Sequence, residues 1–252
     1  MLDDGSHVPL ASLVKLFCIL LVAGIALTIP LYKFQVRRFI SSNLFIKIMF
    51  WIPIFLIFLG TLYADSQVRL VLLVTLLIMA LRELIKQFYK SKYKSLLVVY
   101  FVLFAVFLAH FYLVDTIYQT KFINILITLA FATVLADVTA FFFGNYFGIH
   151  KLPPVLNKNK SWEGVSGEIV GALVGVLLVN SFIEPVVSIW LFLPIGIGSV
   201  TGDLANSYVK RKLDIKDWSR AIPGHGGFID RLSSIAGSVA FTFYFLKITG
   251  LV

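Results

Sequence analysis

Between Ser207 and Ser233 the chain gathers Lys210, Arg211, Lys216, Asp217, His225, a Gly226-Gly227 pair, Asp230 and Arg231 into one short run, and Gly202-Asp203 lies just upstream in a very apolar segment. Cations, glycines and carboxylates in one place suit phosphate chemistry with a metal ion. Glycine allows close approach of backbone to a ligand, and N–H groups at a helix start favour an anion. Asp230 sits at such a start and is itself an anion, so a phosphate binds beside it only with a cation between them. Mg2+ is the natural choice, because it binds through one or two carboxylates plus phosphate oxygens and water. On a helix, Asp203, Ser207, Lys210 and Arg211 fall at i, i+4, i+7 and i+8 and share one face. A carboxylate, a hydroxyl and two cations on one stripe can hold a metal and the phosphates it bridges; the plainer reading is a snorkelling Lys-Arg pair with an Asp partner. His225 is a candidate to orient a phosphate or a leaving group, or a loop histidine bonded to backbone.

Two further stretches carry polar residues in awkward places. Asp137 lies deep in the apolar run LADVTAFFFG, and a carboxylate at the centre of a membrane helix costs roughly 2.5–3.5 kcal/mol on insertion scales, which marks it as functional by default. The segment NKNKSWEG supplies Lys158, Lys160, Ser161, Trp162, Glu163 and Gly164. Ser161 with Glu163 also reads as an ordinary helix start, while Lys160 stays available as a mobile point charge for phosphate.

The elements that must position these residues are apolar. Of 252 residues, 59% are hydrophobic and 14% charged, against about 25% charged in soluble domains. The expected fold is all-α, a polytopic integral membrane protein with about eight transmembrane helices, at roughly 10–32, 44–63, 67–84, 95–114, 122–143, 165–183, 186–206 and 228–249. The third is the weakest, with Arg69 and Arg82 near its ends, and the sixth and seventh meet at a turn around Glu184-Pro185; a ninth element would have to lie within 144–164. The first segment reads as a retained span, not a cleaved signal. Cys18 is the only cysteine, so neither an internal disulfide nor a cysteine-based metal site is available.

The net charge of +9 belongs to topology and anionic lipid, not to nucleic acid. Most of the 22 basic residues fall in 33–43, 82–94, 144–164 and 207–227, all on one side if there are eight spans. That side is read as cytoplasmic, with both termini outside. Residues 1–120 read as a scaffold of spans, and 121–252 as the working half, with cytoplasmic loops 144–164 and 207–227.

Together these residues resemble the phosphatidate cytidylyltransferase (CDP-diacylglycerol synthase) family. The long family signature is matched in register by Ser207, Lys210, Arg211, Lys216, Asp217, Ser219, Pro223, His225, Gly226, Gly227, Asp230 and Arg231, and upstream by Gly202-Asp203, KNKSWEG and DVTAFFFGNYFG. The likeness covers about residues 135–235. Ser233 stands where the signature closes on Asp, and Asn145 where Arg or Lys is usual. The resemblance implies the reaction of CTP with phosphatidate to give CDP-diacylglycerol and pyrophosphate, in a cell inner or plasma membrane. It marks Asp203 and Asp230 as ligands of Mg2+, with a second cation left open. Catalysis would fall to these two with Lys210, Arg211 and His225. Lys160, Ser161, Glu163, Ser207, Lys216, Asp217, Gly226, Gly227, Arg231 and Asp137 would bind substrate, and a homodimer is implied by the family alone. The residues also admit a related CTP-using enzyme (a CDP-archaeol-type synthase or a polyprenol kinase), a non-catalytic paralogue, or an ion transporter lined by Asp137, Asp203 and Asp230.

Overall fold

A computed structural model describes residues 10–119, 121–183, 187–222 and 226–251. Among the described residues the regular structure is helical: α1 (Leu10–Thr28), α2 (Val36–Ile40), α3 (Asn43–Tyr63), α4 (Ser66–Phe88), α5 (Lys94–Ile117), α6 (Phe122–Tyr146), α7 (Pro154–Asn157), α8 (Trp162–Phe182), α9 (Phe192–Lys212) and α10 (Phe228–Thr249), with two short 3-10 turns. The all-α expectation holds, and each long helix lies where an apolar segment was read. The turn expected at Glu184-Pro185 lies outside the described residues. The stretch 144–164 adds only the one-turn α7 and an isolated bridge between Lys151 and Ser161.

Six of these helices are long and apolar enough to cross a membrane: α1 with its following 3-10 turn, α3, α5, α6, α8 and α10. The expected count of eight is therefore not confirmed, for a physical reason. Helix α4 carries Arg69, Arg82, Glu83 and Lys86, and α9 carries Asp203, Asn206, Ser207 and Lys210 along its second half. Arg69, Glu83, Asp203, Asn206 and Lys210 find partners in protein instead of facing lipid. At the far end of the bundle, Arg69 forks onto Asp115 of α5 (Nε to Oδ2 2.9 Å, Nη2 to Oδ1 2.6 Å) and lies over the Phe122 ring. Large apolar side chains such as Val22, Ile57, Val71 and Val99 cover the outside, as a lipid-facing surface requires.

Lipid supplies no hydrophobic drive between helices, so close backbone packing and interhelical hydrogen bonds must do the joining. The seam between α6 and α8 is built this way. A Cβ on Gly167, Gly171 or Gly175 would overlap Phe143, Thr139 or Ala132 across it, and Thr139 Oγ1 donates to the Gly167 carbonyl at 2.6 Å. The second seam joins α9 to α10, with Gly198 and Gly202 against Gly237 and Ser233. These two seams fix the four helices that carry most of the candidate residues. One apolar core fills the region around α1, α3, α6 and α8, and a second packs Val209, Trp218 and Ile229 onto α4 and α5.

Candidate active site

The candidate residues meet at one end of the bundle, where α4, α6 and α9 finish and α8 and α10 begin. Helix α9 is continuous from Asp203 through Arg211, so the expected stripe of Asp203, Ser207, Lys210 and Arg211 exists. Its members reach different neighbours. The Lys160 ammonium pairs with the Asp203 carboxylate. Lys210 Nζ pairs with Asp230 Oδ1 at 2.6 Å. The first pair forms because the turn of α7 packs on α9 and Leu152 N–H closes a loop onto the Lys160 carbonyl at 2.9 Å. Asp203 keeps 26% of its side chain exposed and Lys160 32%, whereas Asp230 keeps 1% and Lys210 14%.

Asp230 is also the organiser of its own loop. Its Oδ2 accepts from Trp218 N–H and from Gly227 N–H, both at 2.9 Å. The Trp218 ring stacks on Tyr100 of α5, with centroids 5.8 Å apart, and its indole N–H donates to Asn206 Oδ1 at 2.7 Å. Gly226 adopts φ +85, a left-handed conformation that favours glycine, and exchanges backbone hydrogen bonds with Ile222 at 2.8 and 3.1 Å. A Cβ there would lie 2.8 Å from Asp230 Oδ2 and 3.3 Å from Asp217 Oδ1. A Cβ on Gly227 would instead run into the Glu83 carboxylate, at 2.5–2.7 Å. The missing side chain at 227 thus makes room for a carboxylate of α4.

Deeper in the bundle, Asp137 accepts from Ser234 Oγ at 3.3 Å and lies within electrostatic reach of Arg231 and Lys160. Burial pushes the Lys160 ammonium down from the ordinary lysine range, while the Glu168 and Asp137 carboxylates pull it back up. Lys216 and Asp217 are exposed in the loop after α9, Arg231 is exposed at the start of α10, and Ser207 is buried on α9. Ser161 is the N-cap of α8, its Oγ accepting from Gly164 N–H at 3.2 Å, which bears out the plain helix-start reading. Glu163 turns to the surface and holds His150 Nδ1 at 2.6 Å. Arg211 Nε is buried without a partner among the described residues. His225 lies outside the described residues.

Four residues escaped the sequence reading. Glu83 of α4 accepts from Ser219 Oγ at 2.6 Å, Phe228 N–H at 2.9 Å and Ile229 N–H at 3.1 Å. Glu168 of α8 accepts from Ser199 Oγ at 2.7 Å inside the bundle. Lys47 of α3 faces Arg231, Asp217 and Lys216 electrostatically. Asn206 accepts from both Trp218 and the Tyr100 hydroxyl. The rule that singled out Asp137, a carboxylate within an apolar run, would have found Glu168 as well.

A hard divalent cation fits this donor set in one way only. Among the described residues no group of three or more His, Cys, Asp or Glu side chains is placed to hold a metal, so the protein would offer one or two carboxylates and leave the remaining positions to phosphate and water, the Mg2+ pattern. Asp203 is the more available ligand, since its charge is balanced by one partly exposed ammonium. Asp230 already serves three donors.

The model of the cytidylyltransferase family matches residues 7–249 of the chain. A phosphatidate cytidylyltransferase of Mycobacterium leprae is 40% identical over 113 residues, 44% of this chain and 36% of that protein. One from Brucella abortus biovar 1 is 39% identical over 127 residues, 47% and 46% respectively. One from Haemophilus influenzae is 40% identical over 118 residues, 44% and 41%. The chain thus spans less than half the length of each of these relatives.

Proposed function

The chain belongs to the cytidylyltransferase family, and from that premise we propose that it transfers the cytidylyl group of CTP to phosphatidate, giving CDP-diacylglycerol and pyrophosphate. The observation that carries this reading is the pair of lysine-balanced carboxylates, Lys160–Asp203 and Lys210–Asp230, gathered at one end of a membrane bundle. Both substrates are polyanions. A site that meets them needs cations that can leave one partner for another, and these two ammonium groups have that character. An ion path would have less use for carboxylates already carrying their own counterions.

In this reading an oxygen of the phosphatidate phosphate attacks the α-phosphorus of CTP, the bond from that phosphorus to the bridging oxygen breaks, and pyrophosphate leaves. The attacking oxygen is already ionised near neutral pH, so no general base is required. The protein positions the two phosphates and neutralises charge. Lys160 and Lys210 turn from their carboxylates to phosphate oxygens. Arg211, Lys216 and Arg231 add positive charge around them, with Lys47 contributing from α3. Asp203, with the remaining lone pair of Asp230, would hold Mg2+, which when bound would offset phosphate charge and orient the triphosphate. The orientation follows from the charge pattern: the basic segments 82–94, 144–164 and 207–227 adjoin the site end, so that end faces the cytoplasm, where CTP is found, with both termini outside. The acyl chains stay in the bilayer.

The test is turnover of the purified chain in detergent with CTP labelled at either the α- or the γ-phosphorus. The α-label enters lipid and pyrophosphate appears. Transfer of the γ-label with CDP as the sole nucleotide product would overturn the assignment and mark a lipid kinase.

A further inference from the structure

The loop that carries the signature is pinned at two points. Asp230 ties Trp218, Gly227 and Lys210 together from within the loop and its helix. The second pin comes from outside. Glu83, 4% exposed near the end of α4, reaches Ser219 in the loop and the first two N–H groups of α10 with one carboxylate. These N–H groups are among those a helix leaves without internal partners, and a carboxylate there is favoured by the helix dipole. No cation is paired with Glu83 among the described residues, so hydrogen bonds and the helix end offset its charge. Gly227, the residue between the two pins, is without a side chain where the Glu83 oxygens stand.

We propose that Glu83 is a positioning residue for the transfer reaction: it holds the loop at Ser219 in register with the first turn of α10, and through that turn it sets where Asp230 stands and how Lys210 meets it. The proposal deepens the cytidylyltransferase reading and rests on it. Shifting this turn by a fraction of a helical step would carry Asp230 with it and so break or redirect its pairing with Lys210 of α9. Asp203, two turns earlier on the same face of α9 and paired with Lys160 instead, would be left in place. Misplacement of reacting groups by about 1 Å costs on the order of 100-fold in rate.

The experiment compares the full chain with Glu83→Gln, Glu83→Asp and Ser219→Ala in detergent. It reads kcat and KM for CTP, the melting temperature, and amide hydrogen exchange at Trp218, Gly227, Phe228 and Ile229. Gln offers one acceptor oxygen where two are used and turns an NH2 toward backbone donors. Expected are a fall in kcat on the order of 100-fold for Glu83→Gln with a smaller change in KM, partial rescue by Asp, which keeps both oxygens, and a fall of only about 3–10-fold for Ser219→Ala, which removes one of the three donors to the carboxylate and the acceptor of Ala221 N–H. Exchange at the four amides quickens while the melting temperature holds. Two results would overturn the proposal: a Glu83→Gln chain with parental kcat and KM, or a loss of turnover that only tracks the loss of folded protein. If the parent chain shows no CTP-dependent turnover, the functional reading fails, and the exchange data alone decide whether Glu83 anchors the loop: faster exchange sustains it and unchanged exchange rejects it.

Discussion

Replacing Asp230 by Asn separates the structural work of this residue from its chemical work. The Asn oxygen can still accept from Trp218 and Gly227 N–H, the two bonds at 2.9 Å. What is lost is the charge facing Lys210 Nζ at 2.6 Å, and the new amide nitrogen points a donor at a donor. Removing one partner of a buried ion pair costs about 3–5 kcal/mol, chiefly because the other charge is stranded. Lys210 keeps 14% of its side chain exposed and can lean toward water, so the cost falls near the lower end, about 3 kcal/mol. For a chain of this size each kcal/mol is worth about 2–4 °C, giving a melting temperature lower by about 6–12 °C. Adding Lys210→Met removes the stranded charge and should restore most of that loss, about 2 kcal/mol or more, while CTP turnover stays at background. The assay is thermal unfolding in detergent, followed by tryptophan fluorescence with Trp218 as the loop reporter, alongside pyrophosphate release. A single variant melting within about 2 °C of the parent, or a double variant no more stable than the single, would refute the reasoning.

Asp203→Asn should leave the melting temperature nearly unchanged, because the side chain is partly exposed, yet lower Mg2+-dependent turnover by about 100-fold or more; undiminished turnover in a Mg2+ titration would remove Asp203 from the metal site. Gly226→Ala forces a side chain into a left-handed backbone at φ +85 and against Asp230, which should cost about 1–3 kcal/mol and depress turnover with it, as measured by denaturation and kcat together. Asp115→Asn strands Arg69 at the far end of the bundle and should destabilise by about 3 kcal/mol while turnover per folded molecule stays at the parental value; a selective loss of kcat would show that the two ends communicate.

The helices were legible because runs of apolar residues separated by basic loops leave few alternatives in a membrane. The signature residues were legible because glycine, lysine and aspartate crowd one short stretch. What sequence spacing could not supply was partnership across the chain. Lys160 and Asp203 are 43 positions apart, and only the packing of α7 on α9 brings them together. Glu83 lay beside Arg82 in the weakest apolar segment, where a charge near a helix end reads as an interfacial residue; its role depends on the start of α10, 145 positions away. Gly227 was read as letting backbone reach phosphate; that the Glu83 carboxylate stands where its side chain would be came only from the structure. Ser161 caps α8 as the helix-start reading had it, while the partnership of Glu163 with His150 at the surface was not in the sequence reading.

The glycine seams have a consequence for anyone who maps this protein by substitution. At Gly171, Gly175, Gly198, Gly202 and Gly237 even a methyl group collides with the neighbouring backbone. A survey scored by growth or activity would therefore rank these chemically inert positions beside Asp203 and Lys210. Only a parallel count of how much protein reaches the membrane would tell the two kinds of intolerance apart: the glycine variants should be missing from it, and the site variants present and idle.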